Sequence, residues 1–332
     1  MKRLLSQVAL LSAAVTLAAT VHAAHSVELL NVSYDPTREL WRDLNASFAA
    51  QYLKDKGVAV TIKQSHGGSS AQARAVIEGL EADVVTLASY IDTNAIAQRG
   101  LITGDWAKRL PNNSLPYTST VVFVVRKGNP KGIKDWPDLA KPGVEVITPN
   151  PFTSGGARWN VLAGYGAESN VNQNQQAGVD YLNKLFQNVP VQDDSARVSL
   201  QTFASGKGDA VLAYENEAIF AKQQGQGFPY TIPSKTILIQ NPVAVTKTSE
   251  HQEQAKAFVD FLYTKQAQKI FADNGYRPVV SGVTSKNKFK TPSGLFTIDQ
   301  LGGWTDASKK FFDPTSGLLV QVEQGKGVAT SK

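Results

Sequence analysis

The feature that most constrains the fold is a junction that occurs four times in the chain. An apolar, strand-like segment ends in a short polar turn, and residues at helical spacing follow at once. The four turns are residues 35–36, 67–70, 154–156 and 194–197. Helix starts leave backbone N–H groups unpaired and carry a partial positive charge, so each junction can face an anion. The pattern predicts either one shared anion site or four unrelated turns of an α/β protein.

Strand-like and helix-like segments alternate in both halves of the chain, which predicts an α/β fold with largely parallel sheets. The alternation breaks at residues 110–119 and 229–242, which we interpret as two crossings between lobes. We predict that lobe I consists of residues 24–115 and 240–332, and lobe II of residues 116–239. Open α/β sheets bind ligands beyond the carboxyl ends of their strands. Because all four turns follow strands, they can meet in one cleft between the lobes.

The N-terminus is typical of a secretory signal peptide over residues 1–23. Lys2 and Arg3 precede an apolar run from Val8 to Val21, and small residues end the segment. No later run of about 18 apolar residues follows. The 332-residue chain has no cysteine, which excludes a disulfide framework, a thiolate metal site and a Cys-linked lipid anchor. We therefore expect an exported protein of the periplasm.

Charge and motif content exclude several classes of partner. The chain has 34 Lys and Arg against 28 Asp and Glu, and the net charge of +6 is spread without a polybasic run. No aromatic-basic module accompanies this charge, so we expect no nucleic-acid partner. No H-E-x-x-H motif or carboxylate-rich loop is present, so we expect no metal and no cofactor.

Longer motifs give the chain a family resemblance. NVSYDPTREL (31–40), QSHGGSS (64–70), EADVVTLA (81–88), ITPNPFTSGGARWN (147–160) and ENEA (215–218) carry it, together with the stretch 109–131 and LGGW at 301–304. In these motifs the chain resembles the periplasmic sulfate-binding proteins of the sulfate/thiosulfate ABC importers. The resemblance spans nearly the whole chain after the signal peptide, and it implies a two-lobed type II periplasmic binding protein fold with the ligand cleft between the lobes.

The resemblance also implies the ligand-binding residues. In that family, main-chain N–H groups at helix starts hold a dehydrated oxyanion. The matching N–H groups here belong to Asp35, Ser69, Gly155, Gly156 and Ala196, with the Ser154 hydroxyl as a further donor and Tyr214 as a further ligand-binding residue. The implied protein is a monomeric receptor that delivers sulfate, or thiosulfate, to a membrane permease driven by a cytoplasmic ATPase.

Donor-only coordination favours fully ionised sulfate over protonated phosphate, because a phosphate O–H needs an acceptor. Two positions depart from the family pattern. Tyr214 stands where the family usually has Trp, whose indole N–H only donates, whereas a phenol both donates and accepts. Ser195 stands where relatives carry glycine. These departures leave a preference for thiosulfate, molybdate or phosphate open as an alternative to sulfate.

Other functions for the same residues have weaker support. A serine hydrolase would use Ser69 or Ser154, but neither lies in G-x-S-x-G and no His–Asp partner can be assigned, so we predict that the chain is not an enzyme. Three arginines follow the turns closely: Arg38, Arg158 and Arg197. We expect them to pair with carboxylates or backbone around the cleft, with direct anion contact as the alternative. We expect His66 to pack in its turn.

Overall fold

The computed structural model describes residues 26–284 and 288–324. The signal peptide predicted at residues 1–23 lies outside the described residues. Within the described part of the chain, no helix is both long and apolar enough to cross a membrane.

Strands and helices alternate along the chain. The strands are β1 (Ser26–Tyr34), β2 (Ala59–Gly67), β3 (Val84–Thr86), β4 (Tyr117–Val125), β5 (Val146–Pro149), β6 (Val191–Asp193), β7 (Ala210–Tyr214), β8 (Tyr230–Thr231), β9 (Lys235–Asn241), β10 (Ala244–Val245), β11 (Arg277–Pro278) and β12 (Gly294–Phe296). The α-helices are α1 (Arg38–Lys56), α2 (Ser69–Ile77), α3 (Tyr90–Gln98), α4 (Pro111–Ser114), α5 (Trp136–Leu139), α6 (Gly155–Glu168), α7 (Gln175–Gln187), α8 (Ala196–Ala204), α9 (Glu215–Gln223), α10 (Gln252–Phe261), α11 (Lys265–Asp273), α12 (Gly303–Ala307) and α13 (Leu318–Glu323).

Lobe I is built on a four-stranded sheet with the order β10-β3-β1-β2. β1 runs parallel to β2 and β3, and β10 pairs antiparallel with β3. Helices cover both faces: Leu29 of β1 packs in a cluster with residues of α1, α10 and α11, whereas Val32 packs in another with residues of α2 and α3. The predicted parallel α/β organisation is confirmed for this lobe.

Lobe II contains the second sheet, with the strand order β12-β9-β4-β7-β5-β6. β5 is parallel to β6 and β7, as the alternation predicts. β4 is antiparallel to both of its neighbours, β7 and β9. β4 and β9 carry the chain into and out of this lobe, and Tyr117 at the start of β4 pairs with Asn241 at the end of β9. The two crossings between the lobes therefore lie side by side.

The C-terminal segment departs from the predicted division into lobes. Residues 240–332 were assigned to lobe I, but β12 pairs with β9 in the second sheet. Phe296, Trp304 and Phe311 share a buried cluster with Trp136. Residues 294–323 thus pack on lobe II. Sequence pattern alone could not predict this, because apolar side chains in a short terminal segment fit either sheet equally well. The boundaries near residues 115 and 240 stay a prediction.

Candidate anion-binding site

The four turns meet at one small cavity between the lobes. Each turn follows the carboxyl end of a parallel strand: β1 and β2 in lobe I, β5 and β6 in lobe II. The space in the cavity that the centre of a water-sized sphere can reach is about 10 Å³, far below the roughly 300–1,000 Å³ of ordinary small-molecule pockets. Its lining residues are Tyr34, Asp35, Pro36, Gly67, Gly68, Ser69, Ser154, Gly155, Gly156, Ser195 and Ala196. The four turns therefore share one cavity and are not unrelated turns.

Backbone donors surround this cavity. Asp35 follows β1 directly, Ser69 begins α2, Gly155 and Gly156 begin α6, and Ala196 begins α8. Within residues 26–284 and 288–324, the N–H groups of these five residues have no hydrogen-bond acceptor. Buried N–H groups are rarely left without a partner. Asp35, Ser69, Gly155 and Gly156 are buried and Ala196 is half-buried. Their five N–H groups around one small cavity form a donor set that suits an anion.

Polar side chains cap two of the helix starts on the lobe II side. The Ser154 hydroxyl accepts a hydrogen bond from the Ala157 N–H at 3.4 Å, and the Ser195 hydroxyl accepts one from the Val198 N–H at 3.4 Å. Ser195 has an extended backbone with φ −147°. Because no left-handed conformation is needed at this position, serine fits where the resemblance implies glycine.

The lobes contact each other around the cavity. The Ser70 N–H donates to the Thr153 carbonyl at 3.3 Å, and the Trp159 indole N–H donates to the Ala88 carbonyl at 2.7 Å. A β-carbon placed on Gly68 would lie 2.6 Å from the Thr153 carbonyl oxygen. These contacts join lobe I to lobe II, so the structure has the cleft closed.

The three arginines pair with carboxylates, as predicted. Arg38 donates to Asp35 at 2.5 Å. Arg158 of lobe II donates to Asp92 of lobe I at 2.7 Å. Arg197 of lobe II contacts two carboxylates, Glu39 of lobe I and Glu217 of lobe II, each at 2.9 Å.

The Arg197 cluster includes a carboxylate that is almost fully buried. Burial alone would lower the pKa of Arg197, but hydrogen bonds and charge from Glu39 and Glu217 raise it above its ordinary value. Burial raises the pKa of Glu217 despite the nearby guanidinium. The cluster therefore holds the lobes together with paired charges and leaves no net positive charge for a ligand.

Tyr214 lies beside the cavity without lining it. Its ring is buried, and a β-carbon on Gly156 would lie 3.5 Å from Tyr214 Cε1. The ring also packs against Tyr34, with centroids 5.9 Å apart. The hydroxyl lies near the Asn241 side chain but makes no hydrogen bond of ordinary length and angle with the described residues. A donor role for Tyr214 stays a prediction.

His66 lies near the end of β2, one residue before the cavity lining. Burial and the positive charges of Arg38 and Arg197 lower the pKa of His66 to about 4, against the opposing effect of nearby carboxylates. The imidazole is therefore neutral at physiological pH.

Nothing in the described residues assembles a hydrolase or a metal centre. The Ser69 hydroxyl donates to Asp92 at 2.7 Å, and the Ser154 hydroxyl caps α6, so neither is paired with a histidine among those residues. The described part of the chain also holds no cluster of three or more His, Cys, Asp or Glu residues suited to a metal ion.

Sequence reasoning missed two residues of the site. Gly68 packs directly against the opposite lobe, and Asp92 binds Ser69 from behind the cavity. Gly68 belongs to a motif that was singled out, but its tight packing depends on the closed cleft. Asp92 lies in the YIDTN stretch, where an acidic residue in a first helical turn is ordinary.

Comparisons with known proteins identify the family. The family described as bacterial extracellular solute-binding protein matches residues 29–277. The chain belongs to this family. It is 51% identical over 318 residues to the sulfate-binding protein of Escherichia coli K12, covering 93% of this chain and 96% of that protein. It is 41% identical over 322 residues to the thiosulfate-binding protein of Pseudomonas aeruginosa, covering 94% and 96%.

A solved structure agrees with this assignment. The sulfate-binding protein SubI from Mycobacterium tuberculosis H37Rv superposes with a TM-score of 0.82 at 39% identity, covering 86% of this chain and 100% of that one. The prediction of a two-lobed type II periplasmic binding protein fold is confirmed. Membership of a solute-binding family also confirms the prediction that the chain is not an enzyme.

Proposed function

We propose that this protein captures sulfate between its lobes through backbone N–H groups at helix starts. The observation that carries the proposal is a set of five N–H groups around one small cavity, none with an acceptor among the described residues. They belong to Asp35, Ser69, Gly155, Gly156 and Ala196. The similarity to sulfate-binding proteins supports sulfate as the ligand.

The physical chemistry of the cavity supports a fully ionised oxyanion. Moving a dianion out of water is very costly unless fixed donors replace its hydration. Backbone N–H groups at helix starts supply such donors without side-chain entropy to lose. Asp35 lines the cavity, and its carboxylate is engaged by Arg38, so it is a poor acceptor for a protonated anion. An unpaired phosphate O–H would cost about 1–3 kcal/mol, or roughly 5- to 150-fold in affinity.

Thiosulfate is the second candidate ligand. Tyr214 replaces the Trp expected from the resemblance, and its hydroxyl both donates and accepts. The similarity to a thiosulfate-binding protein over 94% of this chain supports this alternative. Binding that places the sulfur atom of thiosulfate beside Tyr214 would favour thiosulfate. A short hydrogen bond from the Tyr214 hydroxyl to an oxygen of the anion would favour sulfate.

The proposal extends to location and partners. Residues 1–23 would direct export to the periplasm and be removed there. The closed, monomeric receptor would then deliver its anion to the permease subunits of an ABC importer in the inner membrane, driven by a cytoplasmic ATPase. Family membership supports a transport role, and the subunits themselves are part of the proposal.

The deciding experiment is thermal unfolding of the anion-free mature protein with sulfate, thiosulfate, phosphate or molybdate at matched ionic strength. A ligand at a thousand times its Kd stabilises the fold by about 4 kcal/mol, which shifts the midpoint by several degrees. We expect the largest shift with sulfate. A larger shift with thiosulfate would favour the second candidate, and no shift with any of the four anions would refute the receptor function.

Gly155→Asp tests the site itself. A β-carbon at this position would lie 2.7 Å from Ala88 Cβ and 3.1 Å from Asp92 Oδ2, so the variant blocks closure and adds a negative charge. We expect sulfate binding to be abolished in calorimetry while the circular dichroism spectrum stays that of the wild type. Unchanged affinity would remove this turn from the site.

A further inference from the structure

Asp92 lies behind the anion cavity, in the first turn of α3, and only 5% of it is exposed. Its carboxylate accepts hydrogen bonds from the hydroxyls of Ser69 and Ser70 at 2.7 and 3.0 Å, and these are the first two residues of α2. It also accepts from the Ser89 hydroxyl at 2.8 Å and pairs with Arg158 at 2.7 Å. One carboxylate thus contacts the start of an anion-facing helix in lobe I and the first turn of another in lobe II.

The position of this carboxylate is unfavourable for an anion receptor on charge alone. Asp92 Oδ2 would be 3.1 Å from a β-carbon on Gly155, so negative charge lies within one residue of the cavity. Burial alone would raise the pKa of Asp92, but Arg158 and the hydroxyl donors hold it below its ordinary value, so the group is ionised. A fixed negative charge repels a bound dianion. A carboxylate at this place must therefore favour anion binding in another way, by more than this repulsion costs.

The hydrogen-bond network around Asp92 can favour anion binding by holding the helix starts in place. The Ser69 hydroxyl, which donates to Asp92, also accepts from the Ala88 N–H at 3.0 Å, so the first residue of α2 is held from two sides. Arg158, the partner of Asp92 across the cleft, also donates to the Pro151 carbonyl at 2.9 Å, in the loop before α6. The network therefore fixes backbone on both sides of the cavity.

We propose that Asp92 is a positioning residue of the anion site, which fixes the starts of α2 and α6 relative to each other when the lobes are closed. This inference rests on the proposed oxyanion-receptor function. Asp92 acts through the Ser69 backbone on one side and through Arg158 on the other, and it opposes the anion only through its charge.

Asp92→Asn separates the two effects because they have opposite signs. The variant is nearly isosteric, removes the charge and keeps one acceptor oxygen. If the Asp92 carboxylate acts only by repelling the anion, the variant should bind sulfate more tightly. A positioning role predicts affinity weaker by at least about fivefold, since hydrogen bonds that hold the site are lost. Most of the loss should be in faster dissociation, measured by stopped-flow with isothermal calorimetry for Kd.

Asp83→Asn is the matched control. Asp83 is another buried carboxylate of lobe I, and it accepts hydrogen bonds from the Leu30 N–H and the Ser249 hydroxyl, away from the cavity. We expect this variant to lower the unfolding midpoint and leave the sulfate Kd unchanged. If Asp92→Asn does not fold, a second pair of variants replaces this one. Ser70→Ala removes one hydroxyl donor from Asp92, and Ser249→Ala removes one from Asp83. Only Ser70→Ala should weaken binding.

The outcomes distinguish this inference from the proposed function. If the wild-type protein binds neither sulfate nor thiosulfate, the proposed function fails. If the wild type binds sulfate and Asp92→Asn binds it equally or more tightly, the positioning role alone is refuted. Equal losses in Asp92→Asn and Asp83→Asn would also refute it, because the effect would then reflect general stability.

Discussion

Gly68→Ala should weaken anion binding by preventing full closure of the cleft. Gly68 precedes α2 with φ −60° and ψ 132°, a conformation that alanine adopts without strain. In the closed structure, however, a β-carbon there would lie 2.6 Å from the Thr153 carbonyl oxygen and 3.0 Å from that of Asp194. Both oxygens belong to lobe II. The added methyl group therefore conflicts with the closed state and leaves lobe I by itself undisturbed.

The magnitude follows from the size of this overlap. Ordinary contacts of a β-carbon begin near 3.4 Å, so the lobes would have to separate by several tenths of an ångström against backbone atoms. Forcing an extra methyl group into a well-packed interface costs about 1–3 kcal/mol. Applied to the closed state alone, this cost raises the sulfate Kd by roughly 5- to 150-fold. The anion-free protein should keep or slightly raise its stability, because alanine restricts the unfolded chain.

Isothermal calorimetry with sulfate measures the change in Kd, and thermal unfolding without anion measures the stability of each variant. Gly104→Ala is the control, since a β-carbon at that glycine meets no atom within 4 Å and its φ is not positive. We expect wild-type affinity in the control. A Gly68→Ala protein that binds sulfate as tightly as the control would show that anion capture does not need this close approach of the lobes.

Two further predictions concern side chains beside the cavity. Tyr214→Phe should weaken sulfate binding by about tenfold if the hydroxyl donates to the anion. The stability of the anion-free protein should be unchanged or higher, because the hydroxyl has no partner among the described residues. Unchanged affinity in calorimetry would show that Tyr214 only packs. The pKa of His66 is lowered from 6.5 to about 4 in the fold, so the unfolded chain binds more protons between these values. Stability should therefore fall as the pH drops through that window, by up to about 1.4 kcal/mol per pH unit for this group. His66→Gln should remove that part of the slope in urea titrations, and an identical slope in both proteins would contradict the pKa assignment.

Local turn chemistry was enough to predict that the four turns meet. The turns at 35–36, 67–70, 154–156 and 194–197 each follow a strand, and parallel strands bring their carboxyl ends to one edge of a sheet. The structure brings all four turns to one cavity. The roles of Arg158 and Arg197 were also predictable, because a guanidinium in a first helical turn finds a carboxylate more readily than it reaches past the helix start.

Features that depend on the two lobes meeting could not be predicted from single segments. Asp92 occupies an ordinary position in a first helical turn, and its importance comes from Ser69 and Arg158, which are distant in sequence. The tight packing of Gly68 exists only against lobe II. The C-terminal segment 294–323 shows the same limit on a larger scale, because amphipathic pattern tells which face is buried but not which sheet buries it.

The arginines near the cavity serve closure and not the charge of the ligand. Arg158 and Arg197 lie in the first turns of α6 and α8, the lobe II helices that begin at the cavity, and each reaches a carboxylate of lobe I. Every lobe II helix start in the site thus carries its own connection across the cleft. Because these guanidinium groups are paired, closing the lobes adds hydrogen-bond donors around the cavity without adding net positive charge. A cavity of this kind supplies hydrogen-bond donors and no net positive charge. It therefore distinguishes anions by how many acceptors they present and how many protons they carry.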